Sequence, residues 1–325
     1  MSMSHLISIE DLERTDIERI VSQAERFAEV SDREIKTLPT LRGRMVLNLF
    51  YESSTRTRSS FELAAKRLSA DVVNFAASGS SVEKGESLKD TVLTLSAHKP
   101  DAIVLRTPWV GASELVSKWC SAAIVNAGDG KHEHPTQALL DVYTLRRRLG
   151  QIDGASIWIV GDVAHSRVAR SNVLAFQMMG AKVTLVGPPT LMPRGIEELG
   201  CEVRYTLDEL QSADIVYALR MQQERMSETW VPSMREYAAW YQINGRRLAP
   251  HQVLMHPGPV NRGVELSGEV VDSPQAVITA QVEAGVVVRM AVLSELLAGA
   301  REPRASAERP QALDAAAPVA EGQPA

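Results

Sequence analysis

Short apolar runs, separated by stretches with helical spacing, form the dominant hydrophobic pattern of this chain. Near-continuous apolar runs are typical of strands buried on both faces of a parallel sheet, and the stretches between them are typical of covering helices. A first series of predicted strands occupies residues 44–50, 71–75, 101–105 and 122–126. A second series occupies residues 156–160, 182–186, 202–205, 214–217 and 252–255. This alternation predicts the α/β class, with two doubly wound parallel-sheet domains.

Helices are predicted before, between and after the two series. Residues 17–30 carry apolar side chains at helical spacing, residues 136–149 link the series, and residues 286–300 form a final helix. We therefore expect one domain at 1–140 plus 283–300 and a second at 141–282, joined by interdomain helices. Residues 301–325 are rich in Ala, Pro and charge, which predicts a disordered tail.

Composition and charge exclude several classes of protein. A length of 325 residues, with 45% hydrophobic and 23% charged residues, suits a folded protein of two domains. The net charge of −5 argues against general nucleic-acid binding, because phosphate contacts need a basic surface. The charged N-terminus has no signal-peptide pattern, and no apolar stretch predicts a membrane span. Cys120 and Cys201 lie far apart in the chain, which suits a reducing cytoplasm.

The segment Asn48–Glu62, with the sequence NLFYESSTRTRSSFE, is the most informative motif. A predicted strand ends near Phe50, four hydroxyl residues and two arginines follow, and a helix begins. The start of a helix offers free backbone N–H groups and a positive dipole end, and Arg56 adds further donors. The segment therefore predicts a phosphate site without a glycine-rich loop. The simpler alternative is a capping serine with arginines on a solvated helix face.

A second candidate site is the segment His132–Gln137, HEHPTQ, at the start of the linking helix. His134 and Gln137 lie about one turn apart, with Pro135 in the first turn and Thr136 or a neighbour as the cap. An imidazole can donate to a carbonyl oxygen, and an amide can bind an NH₂ group. We predict no metal site, because His132 and His134 have no third ligand in register.

The second domain places two arginines and a rigid loop after predicted strands. Arg167 and Arg220 could each bind one carboxylate of a dicarboxylate ligand, although Arg220 could instead pair with Glu224. Prolines on both sides of Gly258 fix a turn whose backbone carbonyls could accept from a substrate amide. The glycine at 161 lacks dinucleotide-motif spacing, so we predict no nicotinamide cofactor.

Taken together, Ser54–Arg58 (STRTR) and His134–Gln137 (HPTQ) resemble the aspartate/ornithine transcarbamoylase family. The resemblance runs from about residue 5 to about residue 300 and is strongest to catalytic chains that use aspartate. It implies transfer of the carbamoyl group of carbamoyl phosphate to the amine of L-aspartate, which gives N-carbamoyl-L-aspartate and phosphate for pyrimidine biosynthesis. No cofactor is implied.

The resemblance also implies a role for individual residues. Carbamoyl phosphate would be bound by Ser54, Thr55, Arg56, Thr57, Arg106, His134 and Gln137 of the first domain and by Gly258 and Pro259 of the second. The second domain would bind aspartate through Arg167, Arg220 and Gln222, with Lys84 added. Catalysis would rest on Arg56, Thr57, Lys84, Arg106 and His134. Ser80 and Lys84 match residues that family members insert into a neighbouring subunit's site, which implies a homotrimer.

One segment departs from the best-known enteric chain of the family. Residues 258–262 read GPVNR instead of a Leu-Pro-Arg form, and resemble chains that stand alone or assemble with a dihydroorotase-like partner. A larger assembly with dihydroorotase-like or regulatory chains stays open.

Three alternative functions remain. An ornithine transcarbamoylase would carry Ser-Met-Gly and His-Cys-Leu-Pro strings where this chain has Arg220-Met-Gln222 and His256–Pro259, and Arg167 and Arg220 would repel a cationic amino acid. An inactive transcarbamoylase-like assembly subunit would not need Arg56, Lys84, Arg106 and His134. A phosphate-binding regulator is the third alternative.

Overall fold

Two parallel sheets organise the computed structural model, which describes residues 3–76, 85–222 and 230–298. The first has the strand order β2-β1-β3-β4. Its strands are β1 (Met45–Phe50), β2 (Asp71–Ala76), β3 (Ala102–Thr107) and β4 (Ala123–Asp129). The second has the order β7-β6-β5-β8-β9. Its strands are β5 (Ser156–Val160), β6 (Lys182–Val186), β7 (Glu202–Arg204), β8 (Ile215–Ala218) and β9 (Val253–Met255).

All pairings between these strands are parallel, as the near-continuous apolar runs predict. Each predicted strand is present and begins at, or next to, its predicted first residue. In both sheets, the chain returns to the centre and continues on the other side, so each sheet is doubly wound. The predicted α/β class is therefore confirmed.

Helices cover the two sheets. Those that precede or belong to the first sheet are α1 (Arg14–Ser31), α2 (Thr55–Arg67), α3 (Leu88–Ser96) and α4 (Ala112–Trp119). The others are α5 (Pro135–Leu149), α6 (Arg167–Met178), α7 (Met234–Tyr241), α8 (Gly268–Val271) and α9 (Ile278–Leu297). Among the described residues, no helix combines the length and the apolar character needed to cross a membrane.

Helix α9 begins eight residues before the predicted start at 286. Gly285 lies inside α9, and a Cβ atom at this position would collide with the guanidinium of Arg289. Arg289 donates through Nη1 to the Gly285 carbonyl (3.1 Å) and to Ser60 Oγ of α2 (2.8 Å). Burial lowers the pKa of Arg289 to about 9.

A continuous apolar core joins the two sheets through α5 and α9. It includes Val104 and Val125 of the first sheet, Ile157 and Ile215 of the second, and Val288 of α9. Helix α9 packs on α1, α2 and α5, and α5 packs on α6. These contacts hold the carboxyl ends of both sets of strands at a common junction.

The buried ring of Phe61 should contribute strongly to stability. Phe61 is fully buried in α2, and the Arg289 guanidinium lies 5.0 Å from its ring centroid. Replacing Phe61 with alanine is expected to lower the free energy of unfolding by about 3–5 kcal/mol, since it leaves a cavity in a core that cannot fully close. The control is Lys66→Ala on the same helix, where an exposed ion pair with Glu62 contributes about 0.5 kcal/mol or less. Denaturant unfolding of both variants checks this, and equal effects would contradict it.

Candidate active site

The junction between β1 and α2 forms the centre of the candidate site. Ser54 is the N-cap residue of α2, and its extended backbone turns the chain from strand to helix without a side-chain capping bond. The first turn therefore presents backbone N–H groups together with the Arg56 and Thr57 side chains. Thr57 is buried, whereas Arg56 stays open to solvent on one side. This arrangement suits an anion at the helix start.

Arg56 meets two residues that follow strands of the second sheet. Partial burial, and then the positive charge of Arg220, lower the pKa of the Arg56 guanidinium. Gly258, after β9, has a φ of +64°, and a Cβ atom there would lie 3.1 Å from Arg56 Cζ. Glycine is thus required both by the left-handed backbone and by the close approach of the guanidinium. Two converging cations create a strongly positive region that favours an anionic ligand.

Glu52 joins two further arginines across the junction of the sheets. Its Oε2 atom accepts from Arg106 Nε (3.2 Å) and from Arg167 Nη2 (2.5 Å). Arg106 Nη1 also lies 3.5 Å from Thr57 Oγ1 and 3.4 Å from the Ala127 carbonyl oxygen. Glu52 is not among the predicted site residues, although it stands directly before the hydroxyl and arginine cluster.

Arg167 is buried at the start of α6, after β5. One of its guanidinium nitrogens is engaged by Glu52, whereas Nη1 is buried and has no hydrogen-bond partner within the described part of the chain. A carboxylate ligand can satisfy such a donor. The arginine is therefore held in place by the protein while keeping hydrogen-bonding capacity.

His134 and Gln137 lie at the start of α5, after β4, as the sequence predicts. His134, and not Thr136, is the N-cap residue, and its buried backbone N–H donates to Ser171 Oγ of α6 (2.8 Å). The predicted side-chain cap is wrong, because Pro135 occupies the first helical position and His134 makes no side-chain capping bond. Gln137 Nε2 donates to Asp141 Oδ1 (3.1 Å).

His132 belongs to a separate contact. Its Nδ1 atom lies 3.2 Å from Asp129 Oδ2, and this bond raises the pKa of His132. Across residues 3–76, 85–222 and 230–298, no group of three or more His, Cys, Asp or Glu side chains is placed to hold a metal ion. Cys120 and Cys201 are both buried and are not joined by a disulfide.

The remaining predicted residues fall into two groups. Arg220 and Gln222 follow β8, and the Gln222 backbone N–H donates to Asp162 Oδ2 (3.3 Å). Ser80, Lys84 and Glu224 lie outside the described residues. The described candidates therefore lie at or beyond the carboxyl ends of strands from both sheets, where parallel α/β proteins bind ligands.

Comparison with known families decides between the possible anion-binding classes. The model described as the carbamoyl-P binding domain of aspartate/ornithine carbamoyltransferase matches residues 4–147. The model described as its Asp/Orn binding domain matches residues 153–296. The chain belongs to the aspartate/ornithine carbamoyltransferase family. The resemblance seen in the STRTR and HPTQ motifs is thereby confirmed.

Curated family members share more than half of their residues with this chain. It is 56% identical over 317 residues to the aspartate carbamoyltransferase catalytic subunit of Acidothermus cellulolyticus, which covers 94% of this chain and 98% of the relative. It is 55% identical over 302 residues to the same subunit of Thermobifida fusca, with 92% and 96% covered.

Solved family structures share the fold. The catalytic subunit of M. jannaschii aspartate transcarbamoylase is 38% identical, with a TM-score of 0.79 and 90% of this chain and 98% of that chain covered. Aspartate transcarbamoylase from Trypanosoma cruzi, in complex with carbamoyl phosphate and aspartate, is 33% identical, with a TM-score of 0.81 and 90% and 97% covered.

Proposed function

We propose that this chain transfers the carbamoyl group of carbamoyl phosphate to the amine of L-aspartate and releases phosphate. The observation that carries the proposal is the meeting of Arg56 and Arg106, from the first sheet, with Arg167 and Arg220, from the second. This pattern matches one substrate with a phosphoryl group and another with two carboxylates. Relatives that are 55–57% identical are named for aspartate.

The carbamoyl phosphate half of the site is assigned mainly to the first sheet. The phosphoryl group would lie at the start of α2, where backbone N–H groups, Arg56 and the hydroxyl residues donate to its oxygens. Ser54, Thr55 and Thr57 supply those hydroxyls. Gln137 and the carbonyls of Gly258 and Pro259 would bind the carbamoyl NH₂ group.

The aspartate half is assigned mainly to the second sheet. Arg167 and Arg220 would each bind one carboxylate, since a guanidinium matches a carboxylate with two parallel hydrogen bonds. The amide side chain of Gln222 would add a polar contact. Lys84, which lies outside the described residues, would add a further positive charge.

The reaction is a nucleophilic acyl transfer. The neutral amine of aspartate attacks the carbamoyl carbon, and negative charge develops on the carbonyl oxygen. The C–O bond to phosphate then breaks, and the departing phosphate accepts the proton that the amine loses. Thr57 and Arg106, whose Oγ1 and Nη1 atoms lie 3.5 Å apart, and His134 would donate to that oxygen. One donor of this kind lowers a barrier by roughly 3–4 kcal/mol. Binding both substrates in one cleft supplies the orientation.

Domain division and assembly form part of the same proposal. A carbamoyl phosphate domain at 1–140 plus 283–300 and an aspartate domain at 141–282 would meet within helices α5 and α9. The chain would act in the cytoplasm as a homotrimer that shares Ser80 and Lys84 between neighbouring subunits. Exposed apolar side chains at Trp109 and Val110 offer surface for such contacts.

Phosphate release from carbamoyl phosphate tests the proposed function. The purified chain should release phosphate and form N-carbamoyl-L-aspartate when aspartate is added, and should be at least about 10³-fold less active with ornithine, because Arg167 and Arg220 repel its cationic side chain. Equal or greater activity with ornithine would assign the ornithine reaction instead. No activity with either amino acid would favour an inactive assembly subunit.

A further inference from the structure

We propose that Asp141 is a positioning residue, which fixes the Gln137 side-chain amide so that its oxygen faces the carbamoyl NH₂ group. The inference rests on the proposed function and deepens it. It attributes the preference for a substrate with an NH₂ group, over one with a methyl group of the same size, to one buried carboxylate.

Asp141 is a fully buried carboxylate that accepts four hydrogen bonds. Its Oδ1 atom accepts from Gln137 Nε2 (3.1 Å) and Gln281 Nε2 (2.7 Å). Its Oδ2 atom accepts from Asn172 Nδ2 (3.0 Å) and the Tyr217 hydroxyl (2.8 Å). These donors come from α5, α9, α6 and β8, so Asp141 lies where both sheets and the linking helices meet.

A carboxylate accepts hydrogen bonds and cannot donate them. The amide of Gln137 must therefore turn its NH₂ group towards Asp141, which leaves its Oε1 atom on the other side. An amide oxygen can accept from a carbamoyl NH₂ group but gains nothing from a methyl group. The orientation of Gln137, and not its presence alone, thus selects the substrate.

Asp141 also orients the second wall of the carbamoyl site. Gln281 donates to Asp141, and its Oε1 atom accepts the His256 backbone N–H (3.0 Å). His256 Nδ1 in turn accepts the Gly258 backbone N–H (2.8 Å), and His256 Nε2 lies 3.1 Å from Glu265 Oε1. This chain of bonds fixes the segment whose carbonyls at Gly258 and Pro259 would accept from the same NH₂ group.

Stability alone does not explain why a carboxylate occupies position 141. Burial raises the pKa of Asp141 to about 6, and the four hydrogen bonds to its carboxylate offset this shift only in part. Apolar residues can replace buried charged networks with little loss of stability. A positioning role accounts for a carboxylate at this place.

The test compares carbamoyl phosphate with acetyl phosphate, in which a methyl group replaces the NH₂ group. The ratio of kcat/KM for the two substrates, measured with aspartate, should fall about 100-fold in Asp141→Ala, since Gln137 is then free to turn its NH₂ group to the substrate. The second variant is Asp141→Ser, which keeps one small polar group in the buried position. Circular dichroism and melting temperature verify the fold of each variant.

Two controls separate positioning from general loosening. Tyr217→Phe removes a donor from the other carboxylate oxygen and should lower the melting temperature while leaving the selectivity ratio within about twofold. In a Gln137→Ala background, the added Asp141→Ala change should move the ratio much less than it does in the wild type, because only the branch through Gln281 and His256 is then left to disturb.

The possible outcomes distinguish failure of the proposed function from failure of the positioning role. Wild-type protein without carbamoyl transfer to aspartate would refute the proposed function itself. Active wild-type protein with an unchanged ratio in a folded Asp141 variant would overturn the positioning role alone. An equal fall in Tyr217→Phe, or full additivity with Gln137→Ala, would overturn it as well.

Discussion

Replacing Arg56 with alanine is expected to lower kcat/KM for carbamoyl phosphate by about 10³-fold or more, the range seen when an arginine that stabilises a phosphoryl group is removed. Arg56 stands in the first turn of α2, beside Gly258 and near the cation of Arg220. In the proposed assignment, its guanidinium would contact the leaving phosphate, on which negative charge grows during C–O bond cleavage. Steady-state kinetics with varied carbamoyl phosphate measure the loss.

Two further variants make this prediction specific. Arg56→Lys keeps the charge but loses the planar pair of donors, so its activity should fall between those of the wild type and Arg56→Ala. Lys66→Ala removes an exposed cation from the last turn of the same helix and should leave kcat/KM almost unchanged. Near-normal turnover of a folded Arg56→Ala protein would contradict the assignment.

Much of the fold follows from local sequence. The strands are short and apolar, so their positions in 44–50 and 156–160 can be seen without tertiary information. The start of α9 could not be predicted in this way, because Gly285 serves a contact with Arg289 that only the packed structure reveals. An isolated glycine costs a helix about 1 kcal/mol relative to alanine, so Gly285 weakens the helical signal of the residues around it.

Some residues of the candidate site can likewise be predicted from local sequence, whereas others come together only in the folded chain. Arg56, His134 and Arg167 can be identified from the sequence, because each stands in a group of cationic or hydroxyl residues directly after a predicted strand. Glu52 lies 54 residues from Arg106 and 115 from Arg167, so the shared contact depends on the way the sheets meet. The role of Asp141 could not be predicted either, because in the sequence it is one polar residue within a helix.

Glu52 also changes the charge balance of the site. Four arginines, at positions 56, 106, 167 and 220, meet one carboxylate, so about three positive charges remain when all are ionised. Carbamoyl phosphate brings about two negative charges, and aspartate with a neutral amine brings about two more. The described side chains therefore fall short by about one positive charge, and an additional cation is expected when both substrates bind.

Lys84 is the proposed source of that cation, supplied by a neighbouring subunit, and this leads to the second large effect. Lys84→Ala and Arg56→Ala should each be nearly inactive. When the two variants are denatured together and reassembled, some sites receive an intact Arg56 from one chain and an intact Lys84 from its neighbour. Random mixing in equal amounts should restore about a quarter of wild-type activity in a cyclic oligomer.

Arg56→Ala mixed with Arg167→Ala is the matched control. The contacts of Glu52 with Arg106 and Arg167, and of Arg106 with Thr57, place both halves of that site in one chain. In this mixture, every chain with an intact Arg56 carries the Arg167→Ala change. No site is then complete, so reassembly should restore no activity. Mass measurement of the reassembled species verifies that both variants are present. Sharing through Lys84 would be refuted if the first mixture stayed as inactive as its parents, or if the control mixture recovered equally.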